Sequence, residues 1–302
     1  MSTGADSVKT VLYALGANSA IAVAKFAAAA VTGSSAMLAE AIHSTADSAN
    51  QLLLLLGLKR SIKPADDRHP LGYGREIYFW SFVVAVLLFS VGGIFSIYEG
   101  VHKLSDPQPV SSPMIAIVVL VFAIFAEGIS LRACIIEVNK VRGQKSLWQW
   151  FRHSRQSELL VVMGEDIAAQ AGLVLALLAI CMTAVTGNPV YDAMGSIAIG
   201  VLLVIVAGLV GIEVRSLLVG ESADPEIHDK MEQYVASRPE VDQLFNLITM
   251  QQGPGIMVAV KAQMVSVGTG NELVQAINQV ESGMRSEFPD INWLFFEPDL
   301  ND

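Results

Sequence analysis

The sequence predicts an all-α domain of six transmembrane helices, 1–220, followed by a small cytoplasmic α/β domain, 221–302. Hydrophobic residues make up 53% of the 302 residues and charged residues only 16%, whereas charged residues are about 25% of an average soluble domain. Residues 221–302 contain 14 acidic and four basic side chains, and residues 1–220 contain 15 of each. These values indicate an acidic tail attached to a membrane domain. They exclude disorder for most of the chain and argue against a nucleic-acid partner.

Six stretches have the length needed to cross a lipid bilayer, about 20 mainly apolar residues. The third, fourth and sixth are plain apolar runs, whereas the first, second and fifth contain polar residues and should look weaker by hydropathy. Tight hairpins are predicted where only Thr32–Ser34 and Gly187–Pro189 separate two spans. The predicted spans are 9–31, 35–58, 78–101, 113–136, 158–185 and 192–218.

The basic residues outside the spans are distributed asymmetrically. Eleven Lys or Arg residues flank one side of the predicted bundle, and Lys103 alone lies on the other. Because cytoplasmic loops are enriched in Lys and Arg, both termini are expected in the cytoplasm, and a bacterial inner membrane is the favoured location. The eleven are Lys9, Lys59, Arg60, Lys63, Arg68, Arg75, Lys140, Arg142, Lys145, Arg152 and Arg155.

The tail has the pattern of an α-β-β-α-β unit, the order of a small ferredoxin-like or metallochaperone-like sandwich. Its second strand alternates apolar residues such as Val258 and Val260 with more polar ones such as Lys261. Because 82 residues bury only a modest core, pairing with a second copy of the chain is expected. The predicted elements are a helix at 224–236, strands at 243–251 and 256–266, a helix at 270–287 and a strand at 291–296.

Polar residues in the second and fifth spans are the candidate functional residues. An ionisable side chain at the bilayer centre costs about 2.5–3.5 kcal/mol, so such residues usually face a cavity or a partner. His43, Asp47 and Asn50 are spaced by four and three residues and share one helix face. In the fifth span, Glu165 should point about 100° away from Asp166. One His and carboxylates from two helices form a plausible set of ligands for Zn²⁺, Fe²⁺, Mn²⁺ or Co²⁺.

Other polar residues of the spans are weaker candidates. Lys25 is expected either to line the same cavity or to snorkel toward the headgroups. Asp192 lies at a span end, where the interface should make its charge inexpensive. The other members of this weaker group are Asn18 and Glu127. Spans 2 and 5 also contain Glu40, Gln51 and Gln170, the last of which shares a helix face with Asp166.

Span 2 and the loop after it carry a specific motif. It reads His43-Ser-x-x-Asp47-x-x-Asn50, then Gly57-x-x-Arg60-Ser61-x-x-Pro64-Ala65-Asp66-Asp67-x-His69-Pro70-x-Gly72-Tyr73-Gly74-Arg75-Glu76. This motif resembles the signature of the cation diffusion facilitator (cation efflux) family of divalent-metal transporters. The similarity covers essentially the whole chain. Within the family, Glu165-Asp166-x-Ala-Ala and the ending Glu297-Pro298 resemble the zinc-transporter-9-like branch.

The resemblance implies a homodimer that exports Zn²⁺ or a related ion from the cytoplasm in exchange for protons. The family places two metal ligands four residues apart on each of spans 2 and 5. Carried over, the transport ligands are His43, Asp47 and Asp166. The remaining position falls on Val162, whose side chain cannot bind metal. The fourth ligand is left open among water, Asn50, Gln170 and Glu165.

A second family site, in the loop between spans 2 and 3, maps onto Asp66 and His69. Its third position is Tyr73 here, so the resemblance implies a weak metal site or none, with loop capping and dimer packing as the alternative role. The tail has His228 as its single His and contains no Cys. A binuclear metal centre in the tail is therefore not expected.

The favoured function is Zn²⁺/H⁺ antiport by alternating access. Metal binding to a neutral imidazole and ionised carboxylates releases protons, and an imidazole with its ordinary pKa near 6.5 is a suitable proton carrier. The metal and protons are then cargo, with no bound cofactor. One alternative is a Mn²⁺ or Fe²⁺ exporter of the same fold, and another is a membrane metal sensor or scaffold that binds without transport. A transporter rather than an enzyme is expected, and an intramembrane metalloprotease in particular is disfavoured because no His-Glu-x-x-His motif is present.

Overall fold

The computed structural model describes the backbone of residues 3–301 and the side chains of residues 18–301. The side chain of Lys9, which contributes to the predicted orientation, lies outside the described residues. The chain divides into two compact units. The helical unit contains the stretch ending at Leu56, Trp80–Phe151 and Glu158–Val214, and the mixed unit contains Gly57–Phe79, Arg152–Ser157 and the segment from Arg215 onward.

Long helices account for most of the chain up to residue 219. Each of the six predicted spans coincides with a helix of 27 to 30 residues, counting the continuous stretch Glu76–Ser105 as one helix. The elements are α1 (Thr3–Thr32), α2 (Ser35–Ser61), α3 (Glu76–Leu87), a π-helical segment (Leu88–Ile94), α4 (Phe95–Ser105), α5 (Pro113–Val141), α6 (Leu147–His153), α7 (Ser157–Thr186) and α8 (Val190–Val219).

Among the described residues, four helices are long and apolar enough to cross a membrane. They are Glu76–Ser105, Pro113–Val141, Ser157–Thr186 and Val190–Val219. The described part of α1, Asn18–Thr32, is apolar but shorter. The expectation that the fifth span would look weaker than the third is wrong, since the most apolar windows of both have a mean hydropathy of 2.2. The reason is that the charged and amide side chains of α7 are confined to its first half.

The two predicted hairpin turns are present. Helix α1 ends at Thr32 and α2 begins at Ser35, so two residues join them, and three residues join α7 to α8. Gly33 and Gly187 follow the helix ends with φ of +65° and +69°. This left-handed conformation is the usual one for a residue that terminates a helix, and glycine adopts it without a Cβ penalty.

Glycines also set the approach of two apolar helices. A Cβ atom on Gly200 of α8 would lie 2.6 Å from the carbonyl oxygen of Gly93 and 2.7 Å from the backbone nitrogen of Ile97. Because neither Gly200 nor Gly93 has a side chain, the backbones of the two helices pack directly against each other. Small residues serve this purpose in membrane helices, where apolar burial contributes little to association.

The acidic tail forms the predicted α-β-β-α-β order. Strand β2 (Gly255–Met264) pairs antiparallel with β1 (Val241–Gln252) and parallel with β3 (Ile291–Pro298), so the sheet has the order β1-β2-β3. The predicted alternation is present in β2, where Val258 and Val260 are buried and the next residue, Lys261, is partly exposed. The elements are α9 (Pro225–Ala236), β1 (Val241–Gln252), β2 (Gly255–Met264), α10 (Gly270–Glu287) and β3 (Ile291–Pro298).

The loop after α2 packs onto the β1–β2 turn within the mixed unit. The buried hydroxyl of Tyr78 accepts a hydrogen bond from the Gly253 amide at 2.9 Å. Arg75 donates from Nε to the side-chain oxygen of Gln252 at 3.1 Å. A Cβ on Gly74 would lie 2.8 Å from the carbonyl carbon of Gln252, so this approach requires glycine. The tail strands and the inter-helix loop therefore share one set of contacts.

Candidate metal site

A small polar cavity lies inside the helical unit, between α1, α2, α5 and α7. Its volume is about 20 Å³, and roughly 10–15 Å³ is enough to admit a water molecule. Four carboxylates reach its wall, two from α7 and one each from α2 and α5. The lining residues are Asn18, Ser44, Asp47, Gln51, Glu127, Ser130, Val162, Glu165 and Asp166. The structure thus brings Asp47 and Asp166 to one cavity from different helices.

His43 lies directly behind Asp47. Its Nδ1 is 3.5 Å from Asp47 Oδ1, and the His43 side chain is fully buried. In the described part of the chain, three atoms here have no hydrogen-bond partner: both imidazole nitrogens of His43 and Oδ1 of Asp47. Gly92 of the π-helical segment is adjacent, because a Cβ there would be 3.9 Å from His43 Nδ1. Buried polar atoms are nearly always satisfied in proteins, so unpaired ligand atoms at this point fit a site that receives an ion or protons.

The two neighbouring carboxylates of α7 have different partners. Asp166 accepts weak hydrogen bonds from Ser130 Oγ at 3.4 Å to each carboxylate oxygen. Glu165 accepts a short hydrogen bond of 2.6 Å from Asn50 Nδ2. Although the two side chains leave the helix in different directions, both line the cavity. Asp166 therefore accepts the weaker hydrogen bonds, whereas Glu165 is held by Asn50 of α2.

The positions considered for a fourth ligand are now placed. Val162 lines the cavity, so this part of the wall is aliphatic and carries no ligand atom. Asn50 does not line the cavity; its Nδ2 donates to Glu165, and its Oδ1 has no hydrogen-bond partner among the described residues. Gln170 does not line the cavity, and its Oε1 lacks a hydrogen-bond partner among the residues described. Glu165 and water are the two alternatives that the wall offers.

Lys25 does not snorkel. It is fully buried, lies 3.2 Å from Glu40 Oε2 and donates to Ser44 Oγ at 2.6 Å. The alternative that its ammonium reaches the headgroups is wrong, because a buried carboxylate supplies the counter-charge that makes burial tolerable. Glu127, a weaker candidate from the sequence, stands in the cavity wall. The only signal for it was a carboxylate in the middle of an apolar helix.

Asp192 is not an inexpensive interfacial charge as expected. It is fully buried and accepts from the Ser35 amide at 2.7 Å, from Ser35 Oγ at 3.0 Å and from Ser34 Oγ. Lys103 lies 3.2 Å from its Oδ2. The α1–α2 turn folds over the start of α8, which removes both charges from solvent.

The loop candidates form a different kind of cluster. His69 Nδ1 is 3.5 Å from Asp66 Oδ1, and both side chains are about half exposed. The Tyr73 hydroxyl donates to Asp66 at 2.7 Å. This bond, together with the His69 amide, lowers the pKa of Asp66 below its ordinary value. Because a phenol takes the third position and the carboxylate is already bonded, the cluster has the contacts of a capped loop.

The tail holds one grouping that the sequence reasoning did not single out. His228, Asp229 and Glu232 of α9 bring one ligand atom each to within 4.8 Å of one another. His228 Nδ1 also lies 3.1 Å from Thr249 Oγ1. The available signal was the i, i+1, i+4 spacing on a helix. Exposed acidic groups often cluster without binding metal, and this one has no other feature of a site.

The arrangement in the helical unit suits a hard or borderline divalent cation. Imidazole and carboxylate are the ligands of Zn²⁺, and carboxylate-rich sites also accept Mn²⁺ and Fe²⁺. The carboxylates of Asp47, Glu127, Glu165 and Asp166 repel one another when they are ionised in a shared cavity. A divalent ion or bound protons relieve that repulsion. The site can therefore exchange one for the other.

Comparison with known proteins identifies the family. The family model of the cation efflux transmembrane domain matches residues 11–219. The mouse protein "Proton-coupled zinc antiporter SLC30A9, mitochondrial" is 33% identical over 249 residues, 82% of this chain and 44% of that protein. "Metal tolerance protein C4" of Arabidopsis thaliana is 35% identical over 253 residues, 82% of this chain and 55% of that protein. "Cation-efflux pump FieF" of Escherichia coli O127:H6 is 25% identical over 270 residues, 85% of this chain and 81% of the pump.

The chain spans about half the length of the first two relatives. The family match nevertheless covers more than half of the chain itself. The resemblance of the motif to the zinc-transporter-9-like branch is confirmed by the similarity to the mouse protein. The chain belongs to the cation efflux family.

Proposed function

We propose that the protein is a divalent-metal transporter that exports Zn²⁺ from the cytoplasm in exchange for protons. The observation that carries this proposal is the pair of ligand groups, Asp47 with its neighbour His43 and Asp166, that meet at one buried cavity. The relatives named as a zinc antiporter and an efflux pump support it. Because those relatives are transporters by name, we propose no enzymatic activity.

The proposed ligands are His43, Asp47 and Asp166. In this proposal, Glu165 or a water molecule completes the coordination, since Val162 leaves its part of the wall without a ligand atom. Metal binding requires a neutral imidazole and ionised carboxylates, so the ion displaces protons as it binds. Protons that enter from the other side displace the ion in turn. Asp66 and His69 are not part of this cycle.

We propose six transmembrane helices with a domain division near residue 220 and both termini in the cytoplasm. In this proposal α1 and α2 are two further spans beside the four apolar helices. Their lower hydropathy is due in part to polar residues that line the cavity, such as Asn18 and Asp47, and to the buried Lys25–Glu40 pair. The asymmetry of basic residues supports the orientation. A homodimer paired through the tail and a bacterial inner membrane belong to the same proposal, with an organelle membrane as the alternative.

Zinc flux into proteoliposomes tests the proposal. Wild type, Asp47→Asn and the matched control Asp106→Asn, an exposed loop carboxylate, are compared with and without a pH gradient. We expect gradient-dependent flux from wild type and control and at least a tenfold loss in Asp47→Asn. Flux that ignores every imposed pH gradient would remove the antiport. Metal binding without flux in a folded wild type would support the sensor or scaffold instead.

A Mn²⁺ or Fe²⁺ exporter is a second candidate. Its support is the presence of four carboxylates and one imidazole at or beside the cavity, which is richer in oxygen than a zinc site requires. Repeating the flux assay with each ion, alone and in competition, separates the candidates. Selective Mn²⁺ or Fe²⁺ flux would keep the site and change the cargo.

A further inference from the structure

A buried ion pair lies beside the cavity but outside the proposed ligand set. Lys25 Nζ of α1 is 3.2 Å from Glu40 Oε2 of α2 and donates to Ser44 Oγ at 2.6 Å. Both charged side chains are completely inaccessible to solvent. The carboxylate is only half used, because its Oε1 has no hydrogen-bond partner in the described part of the protein.

Glu40 and His43 together present further unpaired ligand atoms. They are three residues apart on α2 and therefore neighbours on one helix face. Like Glu40 Oε1, both nitrogens of His43 have no hydrogen-bond partner within residues 18–301, although Nδ1 lies 3.5 Å from Asp47 Oδ1. Gly172 of the facing helix α7 lies next to this carboxylate, and a Cβ on Gly172 would be 2.5 Å from Glu40 Oε1. The absence of a side chain there leaves the carboxylate oxygen against bare backbone.

The pair is displaced from the cavity along both helices in the same direction. Glu40 precedes Asp47 by seven residues on α2, and Lys25 follows Asn18 by seven on α1. Seven helical residues correspond to about 10 Å. Both displacements lead toward the α1–α2 turn, which is the end opposite the Lys- and Arg-rich loops. An ion that leaves the cavity for that end meets His43 and Glu40 after Asp47.

We propose that Glu40 is a second, transient position for the transported cation, and that Lys25 is a tethered cation that occupies it between transport events. Metal that moves from Asp47 to His43 and Glu40 displaces the ammonium, which keeps its bond to Ser44. Return of the ammonium to Glu40 then releases the metal outward and opposes its re-entry. The inference rests on the proposed transport function.

The exchange makes a distinctive prediction for Lys25→Met. Without the competing ammonium, the Glu40 carboxylate is free to hold the metal beside His43. We expect purified Lys25→Met to bind Zn²⁺ at least tenfold more tightly than wild type, measured by competition with a chromophoric chelator, and to transport it at least tenfold more slowly. A purely structural ion pair would weaken both binding and transport.

The double variant Lys25→Met/Glu40→Gln separates exchange from folding. Neutral replacements at both positions of a buried ion pair are tolerated better than removal of one partner. We expect its Zn²⁺ affinity to return to within threefold of wild type while flux stays at least tenfold low. The matched control is Lys103→Met/Asp192→Asn, which neutralises another buried pair of the helical unit with the same 3.2 Å separation. Its Zn²⁺ affinity should stay within threefold of wild type.

Each result has a defined reading. Wild-type flux in the double variant would overturn the proposal even if Lys25→Met alone fails to fold. Unchanged or weaker Zn²⁺ binding by a folded Lys25→Met would also overturn it. If wild type transports and Asp47→Asn does not, the transport function stands. A result for Lys25→Met or the double variant that differs from the one expected then refutes only the Lys25–Glu40 exchange. If wild type itself shows no flux, the transport function fails instead.

Discussion

Replacement of Asp192 by Ala should destabilise the helical unit more than a typical point mutation. Its carboxylate is the counter-charge for buried Lys103 at 3.2 Å. It also accepts hydrogen bonds from the Ser35 amide at 2.7 Å and the Ala36 amide at 3.4 Å. These two donors are in the first turn of α2, where amides have no partner within the helix. One side chain therefore neutralises a buried cation and caps a helix that follows a two-residue turn.

The magnitude follows from those contacts. At 3.2 Å, two unit charges attract each other by about 5 kcal/mol at an effective dielectric constant of 20. Removing one partner of a buried pair costs about 3–5 kcal/mol, because the other charge stays buried. Loss of a helix cap adds about 1 kcal/mol. We expect Asp192→Ala to lower the free energy of unfolding by about 4–6 kcal/mol, and Asp192→Asn/Lys103→Met by less than about 1.5 kcal/mol.

Equilibrium unfolding in mixed detergent micelles, followed by circular dichroism, measures these differences. Asp106→Asn, an exposed carboxylate bonded to Gln108, controls for loss of a negative charge. A free-energy change below about 1 kcal/mol for Asp192→Ala would refute the reasoning. So would a double variant as unstable as the single one, because relief by the second mutation depends on the buried charge of Lys103.

Three further predictions concern other parts of the molecule. Val162→His should raise Zn²⁺ affinity at least about tenfold in a chelator competition, because a fourth protein ligand completes a tetrahedral set; unchanged affinity would place this wall out of reach of the metal. Gly200→Leu should cost about 1–3 kcal/mol in the same unfolding assay, since its Cβ would lie 2.6 Å from a carbonyl of the facing helix, whereas Gly208→Leu meets nothing within 4 Å and should be neutral. Tyr73→Phe should raise the pKa of Asp66 toward 3.8 in a carboxyl NMR titration. A carboxylate whose pKa is lower in the folded state than in the unfolded state contributes stability at high pH, and this contribution is lost as the pH falls through the folded-state pKa. The contribution of Asp66 should therefore be lost at a higher pH in the variant. An unchanged pKa of Asp66 would exclude Tyr73 as the main cause of its lowering.

Helix positions and tail order were predictable because they depend on local patterns. Apolar runs of about 20 residues and the alternation around Val258 and Val260 are properties of short segments. The paired polar residues of α2 and α7 were also recognisable, since an ionisable group in an apolar helix is costly and needs a reason. His43, Asp47 and Asp166 could therefore be proposed as ligands before their spatial relation was known.

Partners that are distant in sequence could not be predicted in this way. Lys25 pairs with Glu40 across a hairpin, Asn50 holds Glu165 across 115 residues, and Asp192 reaches the first turn of α2 across 157. None of these pairs has a periodic signal, because each depends on which helix faces are turned toward each other.

Local sequence patterns were enough to predict the helices, the elements of the tail and the polar residue types that are suited to a divalent ion. The tertiary structure decided how those charges are distributed: Asp47 and Asp166 share a cavity with Glu127, and Lys25 is buried against Glu40. The physical reason is that burial fixes the cost of each charge, while helix packing selects its partner. A buried carboxylate whose counter-charge is a lysine has a different environment from one that lines a polar cavity, and that distinction depends on distances between helices.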